Sequence, residues 1–338
     1  MVMEPSIKNI AIYLCFFFCV LSPAFAVKTC DVPAIINFGD SNSDTGGLSA
    51  SLSLCTSPYG ETFFRMPAGR YSDGRLIIDF TAESFGLPYL STYLDSLGTN
   101  FTHGANFATA ASTIRLPISM KPNGRSSPFY LYLQNDLGVA FFLNKSVKEV
   151  NASVPDIVKK FSANIKDIYN LGGRSFWIHN TGPIGCLPYI LTYFSTPKDG
   201  AVCSNIYNEV AQHFNIKLKE AVVQLRKDFP SAGFTYVDVY SVKYSMFKEP
   251  RKYGFELPLV SCCGYGGKYR YNSGAECEET IVVNGTKIFV GSSGRLSVRV
   301  NYDGIHYTEA GARFVFHQIS TGHFSDPPVP LKMACHTS

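Results

Sequence analysis

Alternation between helix-period and strand-like runs in the second half of the chain constrains the fold most. Ile157, Val158, Phe161, Ile165, Ile168 and Tyr169 recur at helical spacing, with Ser153 as the expected N-cap and Gly172 as the C-terminal stop. The short apolar strand 175–179 follows, closed by a turn through Gly182, Pro183 and Gly185. A second helical stripe, Val210, Phe214, Leu218, Val222 and Leu225, spans about 205–228 and leads into a strand over 234–239. Repeated switching of this kind implies the α/β class, parallel strands covered by helices, with sites at the carboxyl ends of strands. No repeat or charged linker divides the run, so one large domain over 27–338 is expected. With 46% hydrophobic and 17% charged residues the 338-residue chain can build a large core. Its formal charge of +4 is scattered, which leaves no footprint for nucleic acid.

A strand-like run at 34–38 ends in Gly39, Asp40 and Ser41, so a serine sits where such folds build sites. Acyl transfer by serine needs a hydroxyl on a sharp turn, a histidine, an orienting carboxylate and oxyanion donors. The G-x-S-x-G elbow is absent, and Ser41 fills its place; the bland alternative is an ordinary turn capping a helix. Asp303 and His306, three residues apart in Asp303-Gly304-Ile305-His306, can present carboxylate and imidazole from one turn, just before a last helix capped by Thr308. Trp177 and His179 read as core or supporting residues, whereas Tyr265, Tyr269 and Tyr271 on a glycine-rich loop are candidates to line a sugar or aromatic-acyl pocket.

At the N-terminus Lys8, the apolar run 10–21 and Ala24-Phe25-Ala26 read as a signal peptide over 1–26, too short to span a bilayer, so no stable membrane insertion is expected. Eight cysteines remain beyond it, with no CxxC pair or Cys/His cluster at metal spacing, which points to disulfides and to no metal. Adjacent Cys262 and Cys263 are expected to seek different partners. Sequons at Asn100, Asn144, Asn151 and Asn284 fit passage through a glycosylating compartment toward the cell wall.

The blocks around Ser41, Gln134-Asn135-Asp136 and Asp303 to His306, together with Gly104 to Thr109, Ser175 to Pro188 and Val260 to Gly266, resemble the plant GDSL esterase/lipases of the SGNH hydrolase superfamily, in the subgroup with early-nodulin-like and fucosidase-named members. The resemblance runs from about Cys30 to the C-terminus. It implies a three-layer α/β/α sandwich with a central parallel, flavodoxin-like sheet and a secreted esterase without cofactor. Ser41 would be the nucleophile, His306 the base and Asp303 its orienting carboxylate. The oxyanion would be met by the Ser41 and Ala111 backbone N–H groups and the Asn135 amide, and the partner would be a small-molecule or glycan ester. Two departures stand out. Ala111 occupies a position where the family carries glycine, which a positive φ would strain. Between Arg125 and Asn135 the family carries several tens more residues, including a helix and the strand leading to its G-x-N-D block; here Leu133 replaces the glycine and only 129–133 remains as a candidate strand. Asn135 is expected at the end of that strand, facing Ser41. Two functions stay open, an ester hydrolase or a glycan- or ester-binding protein that kept the blocks without the central strand. Fucosidase chemistry normally takes paired carboxylates flanking the bond, and no such pair stands out.

Overall fold

The computed structural model describes residues 29–51, 55–115 and 134–335. The signal segment and the candidate strand 129–133 lie outside them. The chain divides into two units, Met1–Cys30 and Asp31–Ser338. The strands of the second unit are β1 (Ile35–Asn37), β2 (Gly104–Asn106), β3 (Ser175–His179), β4 (Gly233–Val237), β5 (Thr280–Val283), β6 (Thr286–Phe289) and β7 (Ser325–Asp326). Its helices are α1 (Gly47–Ser51), α2 (Ile77–Ser84), α3 (Gln134–Phe142), α4 (Val147–Asn170), α5 (Pro188–Tyr193), α6 (Asn205–Asp228), α7 (Val239–Lys248) and α8 (Glu309–Ile319).

The expected alternation is present as β3, α6, β4 and α7. Strands β3 and β4 pair in parallel over all five residues of each, Ser175 with Gly233 through His179 with Val237, and β7 adds antiparallel to β4. Because strand side chains alternate, Phe176 and Ile178 enter one cluster with Ile157 and Val154 of α4 and Val210, Leu218 and Val222 of α6. Trp177 turns the other way, toward Val242 and Met246 of α7 and Val315 of α8.

Helix α4 begins two turns earlier than its apolar stripe indicates. Ser146 and Glu149 form a reciprocal capping box, Ser146 N donating to Glu149 Oε2 at 2.8 Å. The helix runs through Pro155, and Ser153, expected as the cap, lies inside with its hydroxyl donating to the Val150 carbonyl. The run 234–239 stops being strand at Val237 because Asp238 caps α7, its side chain accepting from Ser241 N at 3.1 Å. Thr308 caps α8 as expected, accepting from Gly311 N at 3.1 Å.

Strands β1 and β2 also pair in parallel, Ile35 with Gly104 through Asn37 with Asn106, but each has only three residues. Among the described residues no strand joins this pair to β3–β4–β7, so the expected single parallel sheet stands as separate parallel pairs. Ile36 in β1 is 62% exposed and Phe38 just beyond it 56%. The candidate joining strand 129–133 lies outside the described residues, and a parallel crossover to such a strand takes a dozen or more residues.

Candidate functional site

Ser41 lies on a tight turn after β1 and is 1% exposed. Asp40 shapes that turn, its Oδ1 accepting from Asn42 N at 2.8 Å and its carbonyl from Ser43 N at 2.9 Å. Beneath it Asn37 Nδ2 donates to Asn106 Oδ1 at 2.7 Å, and Asn106 Nδ2 donates to the Ser43 carbonyl at 2.7 Å. Asp44, which carries no sequence signal beyond that of a turn former, joins two blocks. It accepts from Gly46 N and Gly47 N at the start of α1 and, through Oδ2, from Ala110 N at 2.6 Å.

Ala110 precedes Ala111, whose φ is +81°, in the left-handed region that favours glycine. The strain anticipated from the missing glycine is therefore real. Ser112 carries the connection onward, since its carbonyl accepts from Asn135 Nδ2 at 2.9 Å. Asn135 is the second residue of α3, buried, and among the described residues its Oδ1 has no hydrogen-bond partner. Asp136 holds the same loop by accepting from Ile114 N at 2.6 Å and from Arg115 Nε at 3.2 Å. Ser41, Ala111 and Asn135 thus belong to one hydrogen-bonded run, in which the Asn135 amide is engaged by Ser112.

Asp303 and His306 meet on one turn before α8. His306 Nδ1 and Asp303 Oδ2 are 2.5 Å apart, and Asp303 Oδ1 accepts from the backbone N–H groups of Ile305 and His306 at 3.0 and 2.8 Å. Gly304 at φ +101° permits this loop, and an added Cβ there would run into the Tyr271 ring. Burial works to raise the Asp303 carboxyl, but the His306 ring and those N–H donors outweigh it and hold it below the usual carboxylate range. The pair is therefore an ionised carboxylate holding Nδ1 of an imidazole.

Two tyrosines that the sequence does not single out surround it. Tyr59 donates its hydroxyl to Asp303 Oδ2 at 2.8 Å, and the Tyr71 ring lies 5.2 Å from that of His306. Their loop is pinned by Arg70, which forms a two-pronged pair with Asp79 of α2 at 2.8 and 2.7 Å, and by Asp73, which accepts from Glu309 N of α8 at 2.7 Å. No local signal marks Tyr59 or Tyr71, because their partners lie more than two hundred residues away. Desolvation pushes the buried Cys55 thiol far up, with the charges of Glu278, Asp303 and Asp44 adding to it.

The other sequence expectations divide. Tyr269 and Tyr271 are buried and only Tyr265 is exposed, so the loop offers one accessible ring rather than three. His179 is exposed at the end of β3, accepting from Trp177 Nε1 at 3.0 Å, so of the core and supporting roles expected it does not take the core one. Cys263 pairs with Cys277 and Cys186 with Cys203; Cys30 and Cys335 are each disulfide-bonded. Cys55 and Cys262 remain buried thiols, so Cys262 has no disulfide partner while its neighbour does. Asn100, Asn144 and Asn284 are exposed, the last at φ +49° in the two-residue Asn284-Gly285 hairpin turn. Asn151 lies half-buried in α4, its Oδ1 against His213 Nδ1 at 3.0 Å.

Residues 35–319 match the family described as GDSL-like Lipase/Acylhydrolase. The chain is 58% identical to an esterase of Hevea brasiliensis over 374 residues, covering 97% of this chain and 95% of the relative. It is 52% identical to the GDSL esterase/lipase ENOD8 of Medicago truncatula, with 94% of each covered, and 44% identical to a protein of Arabidopsis thaliana named Alpha-L-fucosidase 3, with 89% and 94% covered. The 374-residue span exceeds the 338 residues present here, so at least 36 positions of the Hevea relative have no counterpart in this chain.

Proposed function

We propose, because the chain belongs to the family of GDSL-like lipases and acylhydrolases and is a carboxylic-ester hydrolase, that it cleaves carboxylic esters through an acyl-enzyme on Ser41. The observation that carries the assignment is the Asp303–His306 contact at 2.5 Å, which engages Nδ1 and makes Nε2 the nitrogen to take the serine proton. Ser41 Oγ attacks the ester carbonyl as His306 Nε2 takes its proton. The oxyanion is met by the N–H groups of Ser41 and Ala111 and by the Asn135 amide, which must turn from the Ser112 carbonyl to do so. Collapse expels the alcohol, protonated by His306, and water then repeats the sequence to release the acid.

Acetyl, longer acyl or hydroxycinnamoyl esters of lipids, glycans or secondary metabolites are the substrate class, met outside the cell by a secreted, glycosylated protein. No helix among the described residues is long and apolar enough to cross a membrane. A second reading, a protein that binds such glycans or esters and turns them over poorly, is favoured by the engaged Asn135 amide. A fluorophosphonate probe separates the two. Covalent labelling of Ser41 together with release of p-nitrophenol from short-chain esters supports the enzyme, whereas labelling without turnover supports the second reading. No labelling, or labelling that survives Ser41→Ala, removes Ser41 from the mechanism.

A further inference from the structure

Helix α7 turns one cation inward. Lys243 is 6% exposed, and its Nζ lies 4.3 Å from the centre of the Tyr307 ring. Its stem passes Gly182, where a Cβ would come within 3.0 Å of the Lys243 Cδ. Desolvation of an ammonium is costly, so a lysine persists here only where something compensates it. Two groups do so. The Tyr307 ring offers its negative face, and the Asp40 carboxylate favours the protonated form. Asp40 is the residue before Ser41 and wraps its turn through the Asn42 and Ser43 amides. Tyr307 is the residue after His306. One buried side chain therefore packs on the residue beside the proposed base and answers, without an ion pair, the charge beside the proposed nucleophile.

We propose that Lys243 is a positioning residue of the ester-hydrolase site, its ammonium seated against the Tyr307 ring and so fixing the loop that carries His306, with the charge of Asp40 on the Ser41 turn balancing it. The inference rests on the assignment of Ser41 and His306 above. Lys243 touches no substrate, so its loss lowers the rate of acylation while leaving substrate binding in place.

Loss of solvent drives the Lys243 ammonium down to about 8, against the pull of Asp40. Raising the pH through that value removes the charge that Asp40 and Tyr307 share. The groups facing it come from three other elements. Asp40 follows β1. His179, at the exposed end of β3, lies near enough to feel the Lys243 charge. Tyr307, before α8, has a hydroxyl pushed far up by burial. Lys243 is thus the member of this set expected to change charge just above neutrality, and acylation should fall as it does.

The test measures the rate of Ser41 labelling by a fluorophosphonate, and kcat and KM for a p-nitrophenyl ester, across neutral and alkaline pH on the full mature chain. Wild type should slow as the pH passes about 8. Lys243→Met should lower kcat by about 10- to 100-fold at neutral pH, leave KM unchanged and abolish the alkaline fall. Lys243→Arg, a cation that does not titrate in this range, should recover part of the rate and hold it flat. Lys248→Met, on the exposed side of the same helix, should behave as wild type. Asp40→Asn combined with Lys243→Met should lose no more than the worse single variant, a non-additivity that general unfolding does not produce. If Lys243→Met fails to fold, Lys243→Arg and Asp40→Asn still decide, since an unmoved alkaline fall in both overturns the proposal. Labelling at the wild-type rate with the same alkaline fall in Lys243→Met overturns it and leaves Ser41 as nucleophile. Absence of any labelling in wild type overturns the Ser41 assignment and the proposal together.

Discussion

The two parallel pairs of this molecule differ in what surrounds them. Strands β3 and β4 are matched along five residues and lie under α4 and α6, and Ile157 beside them is 0% exposed. Strands β1 and β2 are matched along three, and Ile36 in β1 is 62% exposed. The first pair is a finished core. The second carries Ser41 and holds its shape by polar ties, Asn37 to Asn106, Asn106 to Ser43 and Asp44 to Ala110, more than by burial. A site can thus keep its hydrogen-bonded frame where the apolar layer around it is thin.

The largest effect that tests this contrast is chemical. Ser41→Ala and His306→Ala should each reduce ester hydrolysis by on the order of 10⁵-fold or more, and Asp303→Asn by roughly 10⁴-fold through a misoriented imidazole, measured as kcat on p-nitrophenyl esters. If Ser41→Ala is as active as wild type, the thinly covered pair is not where the chemistry resides. Next comes repair of the thin side. Inserting a relative's longer segment between Arg125 and Asn135 should raise turnover by about 10²- to 10³-fold if the Asn135 amide is thereby freed for the oxyanion. No gain would move attention to Ala111.

Stability measurements sharpen the contrast further. Ile157→Ala should cost about 2–5 kcal/mol in a denaturant titration, while Ile36→Ala should fall within roughly 0.5 kcal/mol. Equal losses at the two sites would mean that the β1–β2 pair is as well buried as the other. The smallest effect belongs to Ala111→Gly, which relieves a left-handed alanine and should stabilise the protein by up to about 1 kcal/mol. A lower melting temperature in that variant would show that Ala111 is not strained.

Legibility in the sequence divides along the same line. Helix α6 and strand β3 are readable to the residue because their apolar spacing and their flanking turns agree with their packing. The start of helix α4 is not, since Ser153 offers a plausible cap while Val147 and Val150 carry the stripe past it to the Ser146–Glu149 cap. Asp303 and His306 are legible because they stand three positions apart on one turn; Tyr59 is not, because its hydroxyl reaches Asp303 across 244 positions. Ala111 is legible as a departure, and its φ supplies the consequence.

Asp44 also sets an order of events in folding. One carboxylate receives the amides that open α1 and, from 66 residues further on, the amide of Ala110. Closing a loop of that length costs about 4 kcal/mol of chain entropy, and the turn beside Ser41 takes its final shape only when the loop has closed. Amide hydrogens at Gly47 and Ala110, far apart along the chain, should therefore exchange with solvent through a single shared opening, making the nucleophile turn and the Ala111 loop one cooperative unit.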